Sequence, residues 1–351
     1  MIKDGFDLNK DDLLSLISSI RRDIGHEDIK PDILDVIFNP EKSELLIITS
    51  DRPEKSLVIG KGGWVVGRLK EELKVNQIHV EAYTDILLRR YRMELALKKL
   101  WQCLKNYDTE TVKPLKNLLN LLEMRIQHPY KGEDVLKEFS PEKESTASQN
   151  SFKAVVALSG GVDSSFALII ARMVGFNPLA VTINPGDIIL PRYYQEKVEN
   201  LTRQLSIEHR YLDVDMAKEI EGALEGRYHP CGRCSRIIEE TVLEYTRNEG
   251  IPFIIFGDLL ATGAQSLTSK GEVLRINLPA MLSATKGETK ALAGKYGVTS
   301  TGGYGCPLLG EVKKKYGYMN RYSVSRILRE TRAGVLEPGE ALELIMSLFK
   351  K

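Results

Sequence analysis

Residues 154–165 read Ala154-Val155-Val156-Ala157-Leu158-Ser159-Gly160-Gly161-Val162-Asp163-Ser164-Ser165. An unbroken apolar run gives way to a serine and two glycines, and the stretch 165–174 that follows has helical periodicity. A strand buried on both faces that turns directly into a helix leaves the first amides of that helix without partners. Gly160 and Gly161 let the backbone approach a ligand, the helix dipole favours an anion, and Ser159, Ser164 and Ser165 add hydroxyl donors. The segment reads as a phosphate cradle, with Asp163 suited to orient the loop or to help hold a magnesium ion. It is not a Walker loop, which needs Gly-x-x-x-x-Gly-Lys-Ser/Thr, nor a dinucleotide fingerprint, which needs Gly-x-Gly-x-x-Gly.

Working outward, strand candidates at 154–158, 179–183, 209–214, 253–256 and 273–276 alternate with helix candidates at 165–174, 192–205, 216–224 and 235–248. Strands that are apolar throughout, separated by helices, predict an α/β domain with a doubly wound, mostly parallel sheet covered on both faces. Ligands of such sheets sit at the carboxyl ends of the strands, where the cradle lies. Thr182 and Asn184 end the second strand at that edge, before Pro185-Gly186-Asp187, and Gly257 follows the 253–256 strand.

A chain of 351 residues exceeds what one hydrophobic core usually serves, so two or more domains are expected. The formal net charge is +1, so any nucleic-acid surface must come from local basic patches. No run of about 18 uninterrupted apolar residues exists, and Met1-Ile2-Lys3-Asp4-Gly5-Phe6-Asp7 has neither the basic nor the apolar region of a signal peptide. A cytoplasmic protein without membrane contact is expected. Four cysteines in such a chain do not make a disulfide scaffold, and three fall in the half that carries the cradle.

A second glycine-rich string lies upstream, Val58-Ile59-Gly60-Lys61-Gly62-Gly63-Trp64-Val65-Val66-Gly67-Arg68. A helix at 11–22 and strands at 33–38 and 43–49 precede it; a helix at 64–73 and a strand at 77–83 follow. Glycines are needed where two helices meet so closely that a nucleotide strand contacts the backbone, and Lys61 brings charge to a phosphate. The string resembles the GXXG loop of a KH domain, in the variant whose extra elements lie on the N-terminal side. That resemblance implies an α+β RNA-binding domain over 1–84, with Gly60, Lys61, Gly62 and Gly63 at the RNA; a plain interhelical turn is the alternative. Residues 85–106 read as an amphipathic helix with Leu87, Tyr91, Leu95 and Ala96 on its apolar face, opening a helical connector over 85–128. Residues 129–151 are polar, with no periodicity after Phe139, and read as a linker.

His229-Pro230-Cys231-Gly232-Arg233-Cys234 presents two thiols on one turn at the start of a helix, whose dipole is expected to lower their pKa. Cys306 sits in Gly302-Gly303-Tyr304-Gly305-Cys306-Pro307. Two cysteines on a short bite plus a distant third suit an iron-sulfur cluster held through three irons, with one iron open to carry sulfide. A structural zinc ion held by the three cysteines and His229 is a second reading. A third uses no metal, with Cys234 and Cys306 as persulfide carrier and resolving thiol.

Taken together, Ser159 to Ser164, Cys231 to Cys234 and Cys306-Pro307 resemble the PP-loop ATP pyrophosphatases, in particular their iron-sulfur-dependent tRNA thiolation branch. Phe256-Gly257-Asp258-Leu259-Leu260-Ala261-Thr262-Gly263-Ala264-Gln265 and Arg275-Ile276-Asn277-Leu278-Pro279 extend the resemblance over roughly 151–310. It implies a PP-loop (HUP-like) domain over 152–310 that binds ATP and Mg2+ at Ser159, Gly160, Gly161, Asp163, Ser164, Ser165, Thr182, Asn184 and Gly257. It further implies adenylation of a tRNA base carbonyl with loss of pyrophosphate, and replacement of that oxygen by sulfur. Cys231, Cys234 and Cys306 are implied as catalytic residues and as ligands of a [4Fe-4S] cluster, and sulfide or a sulfur-carrier protein as donor. The chain departs from the pattern at Ala261 and Thr262, where the family has two acids, and at Ile238, where it has a lysine. Asp258 as general base and Arg236 as the ATP-side cation are the substitutes on offer. A PP-loop ligase in which an amine displaces AMP, and an RNA-binding protein that only senses nucleotide, are the rival readings.

Beyond 310, Lys313-Lys314-Lys315-Tyr316-Gly317-Tyr318, Arg321-Tyr322, Arg326, Arg329 and Arg332 form a basic helical extension over 311–351. Its cations and rings suit unstacked RNA bases, or else a solvated helix with tyrosines in the core. The modified base and the assembly state, monomer or homodimer, stay open.

Overall fold

The computed structural model describes residues 9–105, 113–129, 132–139, 152–300 and 304–350. The segment at 1–7, linker residues 140–151, and Gly302 and Gly303 lie outside the described residues. The chain divides into two compact units, Met1–Arg90 and Tyr91–Lys351.

In the first unit, α1 (Lys10–Asp23), β1 (Ile33–Asn39), β2 (Glu44–Thr49), α2 (Arg52–Ile59), α3 (Trp64–Leu73) and β3 (Gln77–Ala82) form a small α+β fold. Helix α4 (Tyr83–Leu104) crosses the division between the units. The sheet order is β1-β2-β3, with β1 antiparallel to β2 and β3 parallel to it. The side chain of Asn9 accepts the amide of Asp12 at 2.9 Å to start α1, and that of Asp51 accepts the amide of Glu54 at 3.2 Å to start α2. Leu13 and Ile17 of α1, Val58 of α2, and Val65 and Leu69 of α3 pack with Ile33, Leu45 and Ile47 of the sheet.

In the second unit, α5 (Lys113–Gln127) and α6 (Gly132–Glu138) come before β4 (Lys153–Ala157), α7 (Val162–Met173), β5 (Asn177–Asn184), α8 (Arg192–Gln204), β6 (His209–Asp213), α9 (Ala217–Leu224) and α10 (Cys231–Asn248). There follow β7 (Phe253–Phe256), β8 (Leu267–Lys270), β9 (Val273–Asn277), α11 (Leu278–Met281), α12 (Lys286–Gly294), α13 (Pro307–Lys315), α14 (Asn320–Arg332) and α15 (Pro338–Phe349). The strand order is β6-β5-β4-β7-β9-β8, parallel throughout except for the antiparallel edge strand β8. From β4 the chain builds outward through β5 and β6, then returns to the other side of β4 as β7. That reversal is the topological switch at which doubly wound sheets bind ligands, and the cradle follows β4.

Ala154 and Val156 pack with Phe166 and Ile170 of α7, while Val155 packs with Val242 of α10. Burial on both faces is why residues 154–157 of β4 and 253–256 of β7 are apolar without alternation, whereas the edge strand β6 is polar and largely exposed. Phe166 is fully buried, and truncating such a side chain to alanine costs about 3–5 kcal/mol.

Three local expectations shift. Helix α7 begins at Val162 rather than at 165, because Gly161 takes the extended N-cap conformation (φ −81°, ψ 157°). The 129–151 stretch contains α6, with Val135 and Phe139 buried in the core of the second unit; a helix of two turns has too few apolar positions to register as periodic. On α4 the buried positions beyond 90 are Met93, Ala96, Leu100 and Cys103, whereas Leu87 and Tyr91 are exposed. No helix among the described residues is long and apolar enough to cross a membrane.

Candidate active site

Between β4 and α7 the chain turns on Gly160 at φ 74°, where a Cβ would lie 2.8 Å from the Tyr194 carbonyl oxygen. Only glycine satisfies both demands. Gly161 caps α7 without a side-chain hydrogen bond, so the first-turn amides of α7 are presented to an anion. Ser164 closes the loop from within: its hydroxyl accepts the Ser159 amide at 3.2 Å, donates to the Gly161 carbonyl at 3.1 Å and lies 3.1 Å from the Ser159 hydroxyl. Ser165 is fully buried, which leaves Ser159 as the exposed hydroxyl of the three.

Gly257 sets the other wall. A Cβ there would lie 2.6 Å from the Ser164 amide nitrogen and 2.7 Å from the Asp163 carbonyl carbon, so the loop after β7 rests on the backbone of the first turn of α7. Thr182, 1% exposed, donates its hydroxyl to the Leu158 carbonyl at 2.7 Å. Its only proton is spent there, so His209 Nε2, 2.9 Å away, is the donor to Thr182; burial lowers the pKa of this imidazole. Thr182 therefore braces the strand end beneath the cradle rather than facing a nucleotide. Asn184 donates to the Asp213 carboxylate at 2.7 Å and accepts the Gly186 amide at 3.4 Å, which shapes the loop after β5.

Asp163 is held by α12. One oxygen accepts from Lys286 Nζ at 2.5 Å and the other from the Thr289 hydroxyl at 2.9 Å. Of the two roles open to it, orienting the loop is the one these contacts perform. The start of α12 is itself fixed by a capping box between Thr285 and Glu288, and Glu288 accepts from the buried Arg125 of α5 at 3.0 and 3.3 Å. Lys286 has no local sequence signature, since its partner lies 123 residues away. Lys286→Met leaves the Asp163 charge uncompensated beside the anion site; affinity for ATP, read by calorimetry, is expected to fall on the order of tenfold.

Cys231 and Cys234 open α10, and Cys306 is the N-cap of α13. Burial, then the charge of Cys306, raises the pKa of Cys231; burial with Cys306 and Cys231 pushes Cys234 up to about 11. The lowering expected from the helix dipole is outweighed. Arg326 of α14 and Lys313 of α13 oppose the rise at Cys231 and are the cations the fold brings to the thiols. Lys313 donates to the Tyr304 carbonyl at 2.8 Å, and Arg326 to Glu330 at 2.9 Å. Two side chains that the sequence offered to RNA thus turn toward the thiol cluster.

Arg236 is exposed and lies two residues past Cys234, a spacing that puts it on a different face of α10. Asp258 accepts the Leu260 amide at 2.9 Å through its side chain and the Ala280 amide at 3.2 Å through its carbonyl, pinning the loop after β7 to α11. In the tail, Tyr316 packs against Gly226, whereas Tyr318 and Tyr322 are exposed.

Among the described residues no three His, Cys, Asp or Glu side chains stand close enough to share one metal ion. The His229 ring packs on Tyr322 with centroids 4.9 Å apart, and its Nε2 is buried without a hydrogen-bond partner. A zinc site of three cysteines and His229 does not fit. Three thiols faced by two cations suit, in ligand type and number, an anionic cluster that spreads its thiolates over separate irons. A tyrosine pair borders the cradle. The rings of Tyr193 and Tyr194 are 4.6 Å apart; Tyr194 packs on Gly160, and Cys306 is among the groups that raise the pKa of Tyr193, after burial and Tyr194.

In the first unit, Lys61–Gly63 form a single turn between α2 and α3, with Gly60, Gly62 and Gly63 at φ 72°, 65° and 78°. A Cβ on Gly60 would lie 2.3 Å from Val65 Cγ2, so the close meeting of the two helices requires this glycine. Lys61 is exposed.

A mostly parallel six-stranded sheet with SGGVDS at its switch point defines a PP-loop domain of the adenine nucleotide alpha hydrolase superfamily. The family model described as queuosine biosynthesis protein QueC matches residues 153–234. A 7-cyano-7-deazaguanine synthase from Rhodopirellula baltica is 34% identical over 83 residues, 22% of this chain and 31% of that protein. The uncharacterized protein MJ1638 of Methanocaldococcus jannaschii is 32% identical over 258 residues, 74% of this chain and 94% of that protein, and the chain belongs to the same family. Among solved structures, the U34-tRNA thiolase NcsA from Methanococcus maripaludis with its [4Fe-4S] cluster is 15% identical, with 57% of this chain and 71% of that one covered at a TM-score of 0.33.

Proposed function

We propose that the protein adenylates a carbonyl oxygen of a tRNA base with ATP and exchanges that oxygen for sulfur. The observation that carries the reading is the packing of Cys306 with Cys234, whose turn at the start of α10 also holds Cys231, in the same domain as the cradle. The phosphates of ATP, with Mg2+, lie on the first-turn amides of α7 over Gly160 and Gly161. The Ser159 hydroxyl and Lys286 stand where charge accumulates on the leaving pyrophosphate. The base carbonyl attacks the α-phosphorus, its new oxygen–phosphorus bond replacing the one to pyrophosphate. Sulfide then adds to the activated carbon and AMP departs with the former base oxygen.

Cys231, Cys234 and Cys306 would hold a [4Fe-4S] cluster, which when bound supplies a site for sulfide. Lys313 and Arg326 offset the negative charge of the thiolates around it. Asp258, beside the Gly257 contact, is the candidate acceptor of a base proton, while the ATP-side cation passes from Arg236 to Lys286. The Gly60–Gly63 loop of the KH-like unit is the proposed tRNA contact, and sulfide or a sulfur-carrier protein the donor.

A second reading, a PP-loop ligase in which an amine displaces AMP, gives the three thiols no task. Anaerobically purified protein incubated with ATP, tRNA and either sulfide or ammonia separates the two. Pyrophosphate release stimulated by tRNA together with a new thionucleoside is expected. Product formation from ammonia alone would overturn thiolation.

A further inference from the structure

Helix α3 carries a face that its own fold does not use. Trp64, its first residue, is 66% exposed, the most exposed of the large apolar side chains among the described residues. Gly67 and Arg68 follow three and four positions later on the same face, and exposed Lys61 precedes it in the loop. Gly67 has no left-handed φ, and a Cβ there would meet nothing within 4 Å. Neither backbone nor packing asks for glycine at this position, and glycine weakens an exposed helix relative to alanine. A bare helix surface beside an exposed indole is what a ligand approaching the backbone would require. No acid stands in the first turn of α3; Lys61 and Arg68 flank the indole, and Glu71, which pairs with Arg68 at 3.5 Å, lies one turn further from the loop, so the ligand that complements the loop end of this face carries negative charge and a flat ring.

We propose that Trp64 is a stacking platform for one unpaired nucleobase of a single-stranded RNA segment. The sugar-phosphate backbone of that segment runs past Gly67, between the Gly60–Gly63 amides with Lys61 at one end and Arg68 at the other. The inference rests on reading Gly60–Gly63 as an RNA loop and adds to it the residue that takes the base. A Cβ on Gly62 would lie 3.4 Å from Trp64 Cδ1, so the indole stands beside the loop and a stacked base keeps its phosphate within reach of the amides.

The chain has two tryptophans, Trp64 and Trp101. In full-length Trp101→Phe protein the emission therefore reports Trp64 alone, and titration with a mixed-sequence single-stranded octaribonucleotide at low salt is expected to quench it saturably. Trp64→Ala should raise Kd on the order of tenfold, with Trp64→Phe losing less. Gly67→Ala should raise the melting temperature and yet weaken binding several-fold, a combination that a purely structural role for this face does not produce. Binding with unchanged Trp64 emission, unaltered affinity in Trp64→Ala and Gly67→Ala, or equal quenching by duplex RNA would each overturn the proposal. Lys61→Glu keeps its premise separate: if it alone abolishes binding, the loop reading stands and the stacking role fails. No binding by the parent protein overturns both.

Discussion

Gly257→Ala is expected to cut ATP-dependent pyrophosphate release on the order of 100-fold. The added methyl would lie 2.6–2.7 Å from the Ser164 amide nitrogen, the Ser164 Cα and the Asp163 carbonyl carbon. All three are backbone atoms of the first turn of α7, so no rotamer change relieves the contact; the loop after β7 or the start of α7 must move. Either movement disturbs the amides that receive the phosphates, and a misplacement of about 1 Å at a reacting centre costs about that factor. Overpacking of this kind also destabilises by about 1–3 kcal/mol, visible as a lowered melting temperature of the second unit. Gly294→Ala near the end of α12 serves as the comparison, because it lies outside the cradle, a Cβ there meets nothing within 4 Å, and its φ is not left-handed. A Gly257→Ala protein that releases pyrophosphate within a few-fold of the parent would show that the contact does not shape the cradle.

Replacing any two of Cys231, Cys234 and Cys306 by serine is expected to reduce thionucleoside formation to background while ATP binding is retained. The thiols sit at the starts of α10 and α13, outside the β4–α7 turn that forms the cradle, so losing them leaves the anion site intact. Anaerobically prepared parent protein should carry about four irons per chain, and the double variants close to none. Iron analysis separates ligand loss from other defects, and calorimetry with ATP confirms that the cradle survives. A double variant with full thiolation would rule out the cluster role, and one that loses ATP binding as well would make these thiols part of the fold.

The uses of the basic tail could not be read from its sequence, and the reason is geometric. Lys313 and Arg326 look like members of a cationic run that also holds Lys314, Lys315 and Arg329. Which of them face inward depends on how α13 and α14 dock, and the docking places those two at the thiols. Thr182 and Ser165 show the same limit within the sheet. Each occurs in a motif region as a polar residue suited to a ligand, yet the pleat and the helix turn bury both. Burial also reverses the expected direction of the thiol pKa values, because the helix dipole acts at the end of α10 whatever surrounds it, while desolvation depends on what packs above.

Everything dictated by neighbours along the chain was determined by the sequence itself: the apolar strand running into Ser159-Gly160-Gly161, the α/β alternation, the glycine turn at 60–63 and the pairing of Cys231 with Cys234. Those features rest on local backbone freedom and periodicity, which a linear reading captures. Tertiary structure alone decided that Asp163 belongs to Lys286, 123 residues away, that Glu288 belongs to Arg125 at a separation of 163, and that Gly257 must be bare to rest on α7. Such pairings are made when sheet and helices pack, and the choice of partner is set by distance in space, on which spacing in sequence places almost no constraint.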